Sequence, residues 1–353
     1  MSDFLSDYDY TLPDELIARH PPARREAARL MVVDRATGSI EHASIGDLPQ
    51  ILRPHDRLVL NNTRVLPARL LGSRVSTGGQ WEGLYLCSSP AGEWQLLCQT
   101  RGKLRPGERI AVHPAHNPTS DVRLILTLKE KDDAEGLWTA VAEVTRDPIA
   151  ALEKFGTVPL PPYMHRDLAE DDDFSRYQTT FAQHPGSVAA PTAGLHFTPE
   201  LLAACEANGI SHSFVTLHVG IGTFRPISVK HLQDHRMHAE WCELPETAAT
   251  ELSRCRREGG RVVAVGTTST RTLESATSDG EIRPWRGSTD LFIRPPYRFQ
   301  AVDCLLTNFH LPRSSLLVLV SAFAGRDLML HAYQTAIEHR YRFYSYGDAM
   351  LLV

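Results

Sequence analysis

Residues 261–275 read RVVAVGTTSTRTLES. After Arg261 the run VVAV is wholly apolar. A strand without polar alternation is the kind that a parallel sheet buries on both faces. The Gly-Thr-Thr that follows makes a loop, and TSTRTLESA (268–276) begins a helix. Strand, loop and helix in that order form the repeating unit of α/β folds. In such folds ligands gather at the carboxyl ends of the strands. Gly266, Thr267 and Thr268 therefore stand where backbone and hydroxyl groups would meet a ribose or a carboxylate, and Arg271 where a guanidinium would pair with one. The same spelling also serves a plain capped turn. No G-x-x-x-x-G-K-[ST] occurs in the chain, so triphosphate binding of that type is not indicated.

Working outward, the same alternation recurs on both sides. PELLAACEANG (199–209) predicts a helix with Thr198 as N-cap, Pro199 at its first position and Gly209 past its end. SHSFVTLHV (211–219) predicts a strand, and PETAATELSRCRREGG (245–260) a helix stopped by glycines. SLLVLVSAFAG (315–325) reads as a buried segment and LMLHAYQTAIEHRY (328–341) as an amphipathic helix. Toward the N-terminus, Pro13 with Asp14 and Glu15 predicts a short helix that Pro21 and Pro22 end. LMVVD (30–34) and SIEHASI (39–45) predict a hairpin, and RLVLNN (57–62) a buried strand running into a polar loop.

Between these stretches the pattern changes. ARLLGSRV, WEGLYLC, EWQLLCQ, RIAVH, VRLILTL and LWTAVAEV are short alternating runs separated by Gly, Pro, Asn and Asp. Many short strands at this spacing predict a small β-barrel or sandwich. The expected fold is thus mixed α/β: a discontinuous, barrel-like α/β domain over 1–65 and 151–353, with a small all-β barrel domain inserted at 66–150.

Composition narrows the function classes. The 353 residues carry a formal net charge of −5, with 42% hydrophobic and 22% charged residues. These are globular values, not those of a disordered chain. The charge is not that of a protein that coats nucleic acid by bulk basicity, although a local basic face is compatible with it. The longest apolar stretch, Leu316–Phe323, is broken by Ser321 and falls far short of the roughly 20 residues of a bilayer span. The first residues lack the apolar core of a secretory signal. Six cysteines without a CxxC do not read as a disulfide framework, and a reducing cytoplasm is the expected location.

Several polar motifs remain. GSVAAPTAGLHFT (186–198) has small residues, Thr192 and Gly194 that let backbone approach a ligand, with His196 leading into a capped helix. TLHVGIGTF (216–224) presents His218 and a Gly220-x-Gly222 followed by Thr223, without the third glycine of a dinucleotide fingerprint. HRMHAEWC (235–242) offers His235, His238 and Glu240 for acid–base work or hydrogen bonding. Its H-x2-H-x3-C spacing lacks the further ligand pair of a zinc site, and no metal is expected. LLTNFHLPRSSL (305–316) supplies Asn308 and His310. YRFYSYGDAM (341–350) interleaves aromatics with Arg342, a pattern that stacks bases or closes a core.

Taken together, these blocks resemble the S-adenosylmethionine:tRNA ribosyltransferase-isomerase family of queuosine biosynthesis. The resemblance runs nearly end to end: DYDYTLPDELIARHP, NNTRVLPARL, GTVPLPPYMHR, RYQTTFA, GSVAAPTAGLHFT, TLHVGIGTFRP, MHAEW, AVGTTSTRTLES, LLTNFHLPRSSL and YRFYSYGDAM. Asn62 departs from it where the family pattern has Asp, Pro296 where Pro-Gly is usual, and Ser315 where Thr is common. The resemblance implies an α/β domain carrying an inserted β-barrel.

It also implies a transferase that moves and isomerises the ribosyl part of S-adenosylmethionine onto 7-aminomethyl-7-deazaguanine in the tRNA anticodon. Adenine and methionine leave, and epoxyqueuosine-tRNA forms. S-adenosylmethionine is then a co-substrate, with no permanently bound cofactor. That chemistry needs a base beside the sulfonium and an acid for adenine. His196, His218, His235, His238, Glu240 and His310 are the candidates. Thr192, Gly194, Gly220, Gly222, Thr223, Gly266, Thr267, Thr268, Arg271 and Asn308 are expected around the donor. Arg19, Arg24, Arg25, Arg340 and Arg342 are expected to face tRNA, and the chain is expected to act as a monomer without a membrane. Two other classes fit parts of the pattern: an S-adenosylmethionine-dependent RNA methyltransferase and a non-catalytic RNA-binding protein.

Overall fold

The structure, a computed structural model, describes residues 3–117, 119–134, 136–143, 147–164, 171–220, 222 and 227–353. The chain divides into two compact units. One comprises 1–63, 178–184 and 190–353, and the other 64–177 with 185–189.

A nine-stranded sheet forms the first unit. Its order is Trp285–Thr289, Glu240–Leu244, Ser211–Leu217, Arg57–Asn61, Val262–Val265, Cys304–Asn308, Ala349–Leu352, Arg29–Val33 and Ile40–Ser44. The four strands from Ser211–Leu217 to Cys304–Asn308 are mutually parallel. Antiparallel strands flank them on both sides, and the expected hairpin of Arg29–Val33 with Ile40–Ser44 closes one edge. Among the described residues no pairing joins the two edge strands, so the sheet stays open.

Both faces of Arg57–Asn61, Val262–Val265 and Cys304–Asn308 are buried, which is why these strands carry apolar runs. Successive side chains point to opposite faces. Val59, Val262, Ala264 and Leu305 pack with Leu252, Leu273, Val318 and Ala336 from four helices on one side. Leu58, Leu60, Val263, Val265 and Leu306 pack with Leu48, Ala193, Phe197 and Leu201 on the other. The helix Pro199–Ala207 begins as expected: the Thr198 hydroxyl accepts the N–H of Leu201, and Gly209 follows the end at φ +76°. The apolar segment after Ser314 is the helix Ser315–Ala324, capped by the Ser314 hydroxyl.

The helix expected from Pro13 does not form. Only one 3-10 turn, Asp14–Leu16, is present. The chain there is held in extended form instead, because Ala18 N–H donates to Phe343 O and Phe343 N–H donates to Leu16 O. Tertiary pairing wins over a marginal local preference, since so short a helix is not stable by itself.

In the second unit, Arg69–Arg74, Gln80–Ser88, Trp94–Thr100, Leu137–Ala142, Leu124–Asp132 and Arg109–Val112 pair in that order, all antiparallel. Arg69–Arg74 also pairs with Arg109–Val112, so the six strands close into a barrel. Alternate residues such as Leu70, Trp94, Leu96, Ile110, Leu126 and Leu128 are buried. Closure removes the exposed edges that would otherwise template aggregation.

Candidate active site

Four parallel strands end side by side at Leu217, Asn61, Val265 and Asn308. The antiparallel strands starting at Glu240 and Ala349 begin at the same edge, since Cys242 lies opposite Leu217 and Ala349 opposite Asn308. Chain segments far apart in sequence therefore meet at one carboxyl edge, where strand ends and helix starts leave backbone groups for a ligand.

Asn61 ties the middle of that edge together. Its Oδ1 accepts the N–H groups of Thr63 and Leu217, each at 3.1 Å. Its Nδ2 donates to Leu217 O at 3.0 Å and to Thr268 Oγ1 at 3.1 Å. Beside it, Gly266 opens the helix Thr267–Ser275 at φ +88°, a conformation that favours glycine, and an added Cβ would lie 3.6 Å from Ala193 Cβ. The Thr192–His196 turn thus abuts the Gly266 loop. Thr192 Oγ1 donates to Asn308 Oδ1 at 2.8 Å.

The histidines divide by environment. His196 is buried, and its Nε2 accepts from Asn308 Nδ2 at 3.3 Å while the ring also bonds to the Arg25 backbone. Burial pushes its pKa down to about 4. His310 is buried too. Its Nε2 bonds to Thr307 Oγ1 at 2.9 Å, its N–H donates to Tyr333 OH, its carbonyl accepts from Tyr10 OH, and burial lowers its pKa to about 3. His218 is only partly buried. It stacks on Trp241 with ring centroids 4.9 Å apart, and its Nδ1 lies 2.8 Å from Thr63 Oγ1. Burial, with a smaller contribution from His184, lowers its pKa to about 4. Among the described residues, no hydrogen bond occupies its Nε2. All three rings are neutral at pH 7, which suits a proton acceptor and not a pre-protonated acid.

Arg271 was expected to hold a ligand carboxylate, and the carboxylate it holds is Glu240. Nη1 bonds to Glu240 Oε2, Nε donates to Leu291 O at 3.1 Å and Nη2 to Thr289 O at 3.1 Å. Glu240 Oε1 accepts the N–H of Gly220 at 2.8 Å. The buried pair therefore anchors Gly220. His238 packs on Gly222, where an added Cβ would come within 3.0 Å of its ring. His235 and His238 line a cavity of about 330 Å³ with Gly222, Ser228, Asp234 and Met237. Thr223 lies outside the described residues.

The arginines expected to face tRNA are placed differently from one another. Arg19 and Arg24 form exposed ion pairs with Asp14 and Glu26. Arg25 Nη1 donates to Leu195 O at 2.9 Å and so supports the 192–196 turn. Arg342 Nη2 donates to His20 O. Arg340 is exposed.

Residues 5–352 match the family described as Queuosine biosynthesis protein. The chain belongs to that family. The queuosine biosynthesis proteins similar to it include two named S-adenosylmethionine:tRNA ribosyltransferase-isomerase. The one from Symbiobacterium thermophilum is 51% identical over 99% of both chains. The one from Citrifermentans bemidjiense is 47% identical, again over 99% of both. The crystal structure of S-adenosylmethionine tRNA ribosyltransferase from Thermotoga maritima is similar with a TM-score of 0.56 and 35% identity, covering 99% of this chain and 100% of that one. Reading motifs alone did not single out Asn61 or Trp241. The signal for Asn61 was a polar residue closing the otherwise apolar run RLVLNN. Asn62, the family departure, is buried, accepts from Thr216 Oγ1 at 2.7 Å and reaches Gln183 Oε1 at 3.5 Å with its amide nitrogen.

Proposed function

We propose that the chain transfers and isomerises the ribosyl part of S-adenosylmethionine onto 7-aminomethyl-7-deazaguanine at the wobble position of tRNA. The products are epoxyqueuosine-tRNA, adenine and methionine. The observation that carries this reading is the gathering of Asn61, the 192–196 turn, His218, Gly266 and Asn308 at one carboxyl edge, with one neutral imidazole nitrogen left open. The start of helix Thr267–Ser275, with Thr192, Thr267 and Thr268, suits the ribose hydroxyls and methionine carboxylate. The sulfonium acidifies the adjoining ribose carbon, and His218 Nε2 accepts that proton.

Glu240 and Arg271 act through each other and hold Gly220. His196, bonded to Asn308, and His310, whose Nε2 bonds to Thr307, keep Asn308 and its strand end in position. The cavity beside His235 and His238 gives the acceptor base room. Arg19, Arg24, Arg340 and Arg342 supply charge toward tRNA. The enzyme works as a monomer in the cytoplasm, with S-adenosylmethionine as co-substrate and no resident cofactor. No single helix among the described residues is long and apolar enough to cross a membrane.

The test is single-turnover release of adenine, with tRNA carrying the aminomethyl base. A His218→Asn enzyme should lose roughly 10²–10⁴-fold, the usual contribution of a general base, while melting within a few degrees of the parent. Near-normal release from a folded variant would remove His218 from the reaction. Release of S-adenosylhomocysteine in place of adenine would point to methyl transfer.

A further inference from the structure

A neutral histidine is a base only at the nitrogen that lacks the proton, so the tautomer of His218 decides which nitrogen reacts. The ring is held on two sides: Trp241 stacks on it at an interplanar angle of 19°, and Thr63 Oγ1 meets Nδ1 at 2.8 Å. Thr63 is fully buried. Its hydroxyl also lies 3.5 Å from the carbonyl oxygen of His184. The segment that carries this carbonyl is tied to the strand end, because the N–H groups of Gln183 and His184 both donate to Asn62 O, at 2.8 and 3.2 Å.

A hydroxyl has one proton to give and two lone pairs to receive with. A carbonyl oxygen only accepts, so His184 O, at 3.5 Å, offers the Thr63 proton an outlet away from the ring and leaves Oγ1 a lone pair for Nδ1. A neutral imidazole carries one N–H, and among the described residues only Nδ1 of His218 meets an acceptor, Thr63 Oγ1 at 2.8 Å. We infer that Thr63 is a positioning residue that keeps the His218 proton on Nδ1 and leaves the Nε2 lone pair for the substrate. Resting on the proposed role of His218 as base, this adds the residue that sets its tautomer. It is the same arrangement by which an outer partner orients a metal-bound or catalytic imidazole.

The tautomer is read directly, without substrate, from long-range proton–nitrogen correlation spectra of protein labelled with ¹⁵N-histidine. His218 is identified by the signals lost in His218→Asn. The expected result is a protonated Nδ1 and an unprotonated Nε2 at neutral pH. Thr63→Val removes the hydroxyl at nearly constant shape and should release the tautomer. Adenine release should fall by roughly 10–100-fold, the scale of lost outer partners. Thr63→Ser keeps the hydroxyl and should restore both. A proton on Nε2 in the parent protein would overturn the inference, as would a folded Thr63→Val enzyme with unchanged tautomer and rate. The parent spectrum decides the matter even if Thr63→Val does not fold. Should His218→Asn prove fully active while the parent shows Nδ1–H, the base assignment fails and the tautomer assignment stands.

Discussion

Glu240 and Arg271 offer the sharpest test of how the site is held. Both side chains are almost wholly buried, at 4% and 6% exposure. Arg271 spends its donors on Glu240, Thr289 O and Leu291 O, and Glu240 accepts from Gly220 N–H. In Glu240→Gln the amide oxygen can still receive Gly220, but the guanidinium charge is left buried without its counter-charge. Breaking a buried pair from one side costs about 3–5 kcal/mol. Arg271→Met leaves the carboxylate unpaired at a similar cost and adds two carbonyls without donors.

The double variant Glu240→Gln/Arg271→Met has no unpaired charge. It loses mainly the two carbonyl partners, at about 1 kcal/mol each. It should therefore be more stable than either single variant and depart from additivity by several kcal/mol. Urea and thermal unfolding of the four proteins measure this. With about 2–4 °C lost per kcal/mol, the single variants should melt ~10 °C lower than the parent. A double variant destabilised by the sum of the singles would refute the pair as a coupled anchor. If the singles fold, adenine release should fall in both, because the side chain that receives Gly220 N–H loses the charged partner that fixes it.

Two further outcomes are expected. His196 and His310 have folded pKa values of about 4 and 3, below the roughly 6.5 of an unfolded histidine, so the unfolded chain binds more protons in that window. Their contribution is complete above about pH 6.5 and is lost as pH falls. Each loses about 2 kcal/mol by pH 5, and urea midpoints that stay flat from pH 7 to pH 5 would contradict this. For RNA binding, Arg24→Gln with Arg340→Gln should weaken tRNA affinity and reduce the slope of log affinity against log salt by about 2, while S-adenosylmethionine binding is unchanged. An unchanged slope would assign both to ordinary surface. Arg25 is unsuited to that experiment, because its guanidinium supports Leu195.

Local sequence carried much of this protein. The short apolar run VVAV, set between Gly260 and Gly266, read as a strand covered on both faces, and short runs such as LILTL between turn residues read as strands of a barrel or sandwich. Thr198, Pro199 and Gly209 bounded their helix by backbone chemistry that needs no distant partner. The Gly-Thr-Thr stretch 266–268 stood where strand passes to helix, so its place at the carboxyl edge of the sheet followed from the unit itself. The tertiary structure decided what depended on which neighbours arrive. After the turn Asp14–Leu16 the chain runs extended at Ile17 and Ala18 because Phe343, far along the chain, offers backbone partners that a short helix cannot outweigh. Arg271 meets Glu240 because adjacent elements bury the two together. Five histidines looked alike as candidates in sequence. Burial, both ring nitrogens of His196 engaged inside the fold, and the Thr63 hydroxyl beneath His218 set them apart, since proton affinity belongs to the surroundings of an imidazole and not to its place in the chain.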